Sequence, residues 1–220
     1  MFSDDFWNNP GSSQVLTQRA IFGFGTNAGT KTGVTNLVND SGTVASDVSA
    51  VGTAREALAG TGYGEDKAIF GYGDTGSVTG ITNLVNNNGV VASDTSGVGT
   101  SRSALAAAAF GGDKAIFAFG VISNTAQNVS NLVDNEGTVG SDVTGVGTAR
   151  HFLAAAAFGG DKAIFAFGHT TAAWTSVSNL VSNQGVVASD VTGVGTLRAY
   201  MAAAGFGGDK AIFGFGFLSP

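Results

Sequence analysis

Four aspartates and four arginines recur at one spacing in this chain of 220 residues: Asp47 with Arg55, Asp94 with Arg102, Asp142 with Arg150, and Asp190 with Arg198. Each aspartate precedes its arginine by eight residues. A carboxylate and a guanidinium at fixed spacing can line an anion site, or they can tie two chain segments together as an ion pair. An exposed pair contributes roughly 0–1 kcal/mol, while breaking a buried one costs about 3–5 kcal/mol. Because the set returns in each copy of a longer pattern, the structural use is expected, an Asp–Arg pair inside or between repeating units.

Residues that do not return are better candidates for binding. The segment after each "AIF" motif reads TNAGTKTG (26–33), DTGSVTG (74–80), VISNTAQN (121–128) and HTTAAWTS (169–176). Variable connections on a rigid scaffold are where binding usually resides. His169 and Trp174 stand out, since an aromatic platform beside a polar ring can stack on the apolar face of a sugar. Lys31, Asp74, Asn124 and Gln127 belong to the same segments and are expected at the same edge as ligand-binding candidates. His151, Phe152, Tyr200 and Met201 form a second variable set, expected to adjust the core near the axis of the repeats. Phe6 and Trp7 lie in the polar stretch DDFWNNPG, a context that suits docking to a neighbour.

Little else points to a reaction. Two histidines without carboxylates at ligand spacing make no usual metal site, and the chain has no cysteine. No G-x-S-x-G elbow, phosphate-binding loop or dinucleotide fingerprint occurs. A non-enzymatic protein is expected, with no catalytic residue, no metal and no cofactor. The formal charge is −6 with dispersed lysines and arginines, which argues against nucleic acid as a partner. No apolar run approaches spanning length, and the opening MFSDDFWNNPG is acidic where a secretory signal is basic. Neither membrane insertion nor a signal peptide is expected.

The elements that must position these residues come from a repeat. Ala20, Ala68, Ala115, Ala163 and Ala211 each begin an "AIF" and stand 48, 47, 48 and 48 residues apart. "NLV", "SD" and "VGTxR" keep the same phase but occur four times. A fixed period of this size marks a repeat architecture. Each period holds four strand-sized pieces: KAIFGFG, VTNLV, a return strand TVASD or VVASD, and a stretch running from the arginine through alanines. Between the second and third, NDSG, NNNG, DNEG and SNQG suit hairpin turns whose glycine takes positive φ. The alanine piece also has high helix propensity. Its short length and the glycines on either side favour a strand, the innermost one, where only small side chains fit.

Four strands per period give an all-β fold, a β-propeller of blades of about 48 residues. Five blades with incomplete first and last repeats are expected, closed by the N-terminal segment or completed by another subunit. Residues 1–19 form a non-repeating anchor or closing strand, and 20–220 the repeats.

The stretch TARHFLAAAAFGGDKAIFAFG (148–168) resembles a kelch-type repeat: an arginine, an apolar inner strand, then an aromatic-aliphatic strand ending in glycine. The whole cycle, with "IFGFG", a polar turn, an aspartate and "VGTAR" followed by alanines, is similar to kelch-like tandem repeats in virion proteins of tailed bacteriophages. That resemblance implies a structural protein of the virion, in a tail fibre, tail accessory or capsid-surface component, assembled in the host cytoplasm. Its partners would be other virion proteins or copies of itself, with host surface glycans contacted through the variable loops. A free-standing lectin-like propeller is the alternative.

Overall fold

The computed structural model describes residues 20–218. Among them are fifteen strands and no helix. The first sheet pairs β1 (Ala20–Asn27) with β2 (Thr30–Val38). Three antiparallel meanders follow: β3 (Ala59–Tyr63), β4 (Lys67–Gly71) and β5 (Thr82–Val85); then β6 (Ala106–Phe110), β7 (Lys114–Ile122) and β8 (Thr125–Val133); then β9 (Ala154–Phe158), β10 (Lys162–Ala166) and β11 (Ser178–Val181). The two-residue strand β12 (Arg198–Ala199) precedes the last sheet, β13 (Ala202–Phe206) with β14 (Lys210–Gly214), and pairs with β15 (Phe217–Leu218).

The "AIF" motifs lie at the start of β1, β4, β7, β10 and β14, one in each of the five larger sheets, the short β12–β15 pair being a sixth. Register repeats as closely as sequence does: Ile116 stands opposite Ala108 and Leu132, and Ile164 opposite Ala156 and Leu180. After the polar turn the return segment adds single bridges, Val133 to Val139 and Ser130 to Val143 in the third sheet, with equivalents in the first, second and fourth. The turn is built by its first residue. Asn86 Oδ1 accepts from the N–H groups of Asn88 and Val90, both at 3.0 Å, and Gly89 takes φ 77°. This local bonding is why Asn, Asp and Ser favour such positions.

The alanine piece is a strand, despite its helical propensity. The alanine strands β3, β6, β9 and β13 of successive sheets lie against one another. Ala106, Ala108, Ala154 and Ala156 are buried there, where a larger side chain would force the sheets apart. Tertiary packing overrides a propensity worth well under about 1 kcal/mol per residue.

Each core lies between two consecutive sheets. Ile116 and Phe119 of the third sheet meet Ala163, Phe165 and Val181 of the fourth. Ile69 and Tyr72 of the second likewise meet Ala115, Phe117 and Val133 of the third. So Ile of "AIF" packs toward the following sheet and Phe toward the preceding one, as alternation along a strand requires. In the central sheet, Ile116 and Phe117 are both fully buried.

One backbone device recurs in every repeat. Phe24, Tyr72, Phe119, Phe167 and Phe215 have φ between 62° and 65°, a left-handed conformation that costs roughly 1–2 kcal/mol for a residue with a side chain. The kink turns the ring onto the next sheet. Phe24 meets Phe70 with centroids 5.3 Å apart, and Phe119 meets Phe165 at 5.6 Å. At Phe24, Tyr72, Phe119 and Phe167 such ring contacts offset the strain.

Candidate functional site

The repeated charges build a scaffold joint. Arg150 is fully buried; it donates through Nε to Phe167 O at 2.9 Å, through Nη1 to Thr148 O at 3.1 Å and through Nη2 to Phe165 O at 3.3 Å. Its guanidinium lies 4.0 Å from the centre of the Phe119 ring of the preceding sheet. Arg55 on Phe24 and Arg102 on Tyr72 repeat the contact at 4.2 Å and 4.3 Å. Burial lowers Arg150 from the usual arginine range to about 10, against the opposing pull of Asp190, so it stays charged at neutral pH.

The expected Asp–Arg ion pairs are replaced by a relay. Asp190 accepts from Thr148 N–H and Oγ1 and from Asn179 Nδ2, at 3.1, 2.6 and 2.9 Å. Asp94 and Asp142 are held in the same way by Thr53 with Asn83 and by Thr100 with Asn131. Asp47 accepts from Asn36 Nδ2 at 2.8 Å. Asp94, Asp142 and Asp190 each end the outer segment of a sheet whose arginine comes earlier in the chain; the arginine eight residues ahead opens the next sheet. Asp94 therefore shares a cluster with Arg55, not Arg102, and Asn83 bridges them by accepting from Arg55 Nη2 at 2.7 Å. Among the described residues no arginine–aspartate contact closes to ion-pair distance. Arg198 lies in a sheet without the asparagine and aspartate strands, and it donates from Nη1 to Phe215 O at 3.4 Å.

Burial raises the Asp94, Asp142 and Asp190 carboxyls, but bonds from threonine and asparagine and the nearby arginine outweigh it, leaving all three below the ordinary carboxylate value. They are acceptors held in use by the fold.

The variable residues divide into two groups. Lys31 meets Asp74 at 2.7 Å and Glu56 at 3.4 Å, and Thr26 Oγ1 donates to Glu56. Charges expected to face a ligand are thus paired with each other. Asn124 sits in the left-handed turn of the β7–β8 hairpin at φ 64°, and Gln127 donates to Thr125 O at 2.9 Å. That hairpin leans on the 169–176 segment through a bond from Ala126 N–H to Thr171 Oγ1 at 3.2 Å.

His169 and Trp174 come together with the second variable set. His151 and His169 form a two-bond backbone bridge, and His169 bridges Trp174. The ring centroids are 5.3 Å apart for the histidines and 5.7 Å for His169 and Trp174. Phe152 stacks on Tyr200 at 4.0 Å, Tyr200 meets Phe217 edge-on at 5.5 Å, and Trp174 stands 6.4 Å from Tyr200. His151 is buried, while Tyr200 is 52% and Phe217 67% exposed. Burial, and then the neighbouring His169, hold His151 below the ordinary histidine value, so it is neutral at pH 7.

This group corrects the expectation that Phe152 and Tyr200 adjust a core. Both are left-handed, at φ 52° and 57°, and they occupy one position of successive repeats. Tyr200 N–H donates to Phe152 O at 2.8 Å, continuing a column through Ala104 and Ala57. Equivalent residues joined at strand spacing must project in parallel, so two aromatics at this position stack. Phe217 was missed as a member. The available signal was its distance of one period from His169. Phe6 and Trp7 lie outside the described residues.

No protein-family model matches the sequence, and no curated protein matches it.

Proposed function

We propose that this chain is a non-enzymatic structural and adhesive protein of a tailed-phage particle. In this reading the sheets are blades of a kelch-like β-propeller, five in number with the first and last incomplete, and the aromatic group beside Tyr200 binds a host glycan. The virion assignment draws its support from the cycle of repeated blocks. The binding assignment is carried by one observation: residues that break the repeat, drawn from two consecutive sheets, converge into a single aromatic surface with Tyr200 and Phe217 exposed. Aromatic faces present flat apolar area with little side-chain entropy to lose, which suits the C–H face of a pyranose.

Screening the protein against a glycan panel tests the second part. A glycan hit is expected to weaken at least tenfold in Trp174→Ala and in Tyr200→Ala, with thermal melting of each variant checked separately. Binding that ignores both substitutions, or a panel without a hit, sinks the glycan reading. Antibody labelling of purified particles tests the virion part, and unlabelled particles count against it.

A further inference from the structure

We propose that the two ends of the sheet array are the two halves of one interface, and that copies of this chain associate head to tail through them. The proposal deepens the structural part of the reading above, taking the array of blades to be completed by another copy of the chain and not closed by its own N-terminal segment, and it does not depend on sugar binding.

At each internal interface the earlier sheet supplies a socket and the later one a knob. Between the third and fourth sheets the socket is Ile116, Ala118 and Phe119, flanked by Ala108 and Phe110; the knob is Ala163, Phe165 and Val181. At its centre, the Phe of "AIF" meets the left-handed aromatic of the preceding sheet. That ring pair occurs four times, at 5.3, 5.2, 5.6 and 5.9 Å. The knob also fits over the small residue beside the aromatic. At Gly71, an added Cβ would stand 2.8 Å from the Phe117 ring.

The last sheet repeats this socket without a neighbour. Ile212 is 58%, Phe215 89% and Phe206 51% exposed, and no heavy atom lies within 4 Å of where a Cβ on Gly214 would stand. The first sheet repeats the knob. Phe22 occupies the place of Phe70, Phe117 and Phe165 and is 63% exposed, and Val44, which bridges Val38 and occupies the place of Val187, is 55% exposed. The small exposed Ala20 completes the match to Ala163. Among the described residues both halves are uncovered, so the surface that fits either end is the other end of a second copy. The contact continues an interface already built four times inside the molecule. It is heterologous, so it makes closed rings or open filaments. Inside the chain, the arginine covering each aromatic comes from residues ahead of the later sheet. None of the described residues holds that place before β1, so the junction rests on ring and aliphatic contacts.

Sedimentation of the full chain across a wide concentration range tests this. The wild type is expected to gain mass reversibly as concentration rises. Phe22→Asp blocks one end and Phe215→Asp the other, so each variant alone is expected to stay monomeric with unchanged melting. Mixed together, the two variants keep one compatible pair of ends and are expected to stop at dimers. A wild type that remains monomeric at every concentration overturns the proposal, as do oligomers that survive both substitutions. Monomers in which either substitution lowers the melting temperature overturn it too, because the chain then covers its own ends. Glycan binding, measured on monomeric Phe215→Asp, reports on the sugar site separately.

Discussion

Each internal arginine is satisfied by carbonyls and an aromatic face with no carboxylate in contact. Arg102 donates to Phe119 O, Thr100 O and Phe117 O at 2.7, 2.9 and 3.4 Å and covers Tyr72. A planar fork can reach three acceptors in different directions while lying flat on a ring, whereas an ammonium on a flexible stem cannot. Arg102→Lys is therefore expected to lower stability by about 2–3 kcal/mol, through carbonyls left unsatisfied in the core. Arg198→Lys, which gives up a long bond to Phe215 O, is expected to lower it by less than about 1 kcal/mol. Urea unfolding of the two variants side by side measures the difference. The arginine and aspartate positions were legible in the sequence from their period. Their partners were not, because the eight-residue spacing joins an aspartate to the arginine of the next sheet. The true bonds run through Thr53 and Asn83, whose roles need the meander closed in space.

At the scale of the element, turn and strand cooperate across sheets. Gly137 closes the turn after β8 at φ 89°, and a Cβ there would stand 2.8 Å from both Leu84 Cδ2 and Tyr63 Oη of the preceding sheet. Gly137→Ala thus combines left-handed strain with overpacking and is expected to lower stability by about 2–4 kcal/mol. Gly42→Ala at the equivalent turn, φ 77°, has nothing within 4 Å and is expected to show the strain alone, about 1–2 kcal/mol. Comparing the two melts separates the contributions. Strand positions, the polar turns and their glycines could be read from the sequence, since they follow from local chemistry. The left-handed aromatics could not, because "FAFG" gives no local reason for Phe119 to take positive φ together with Gly120, at 65° and 112°.

The whole molecule is a row of sheets in which each rests on its neighbours. In such arrays stability is close to a sum over units and nearest-neighbour interfaces. Among the described residues the third sheet is covered on both faces and the first and last on one. Native-state hydrogen exchange is expected to grade accordingly, slowest at Ile116 and Phe117 and fastest in β1 and β14, with opening free energies falling toward the ends. Uniform protection along the chain would show that the sheets unfold as one unit. The binding residues were half legible at this scale. His169 and Trp174 announced themselves by breaking the pattern. Phe152, Tyr200 and Phe217 joined them only through the stacking of equivalent positions from one sheet to the next.

The closeness of Trp174 to Tyr200, 6.4 Å between rings, has an optical consequence. At that separation, light absorbed by the phenol is passed to the indole before it can be re-emitted. The chain carries two tryptophans, so Trp7→Phe leaves one fluorophore, located at the edge of the aromatic surface. Anything that settles on Tyr200 or displaces water from the indole changes the colour and yield of its emission. The site carries its own dye.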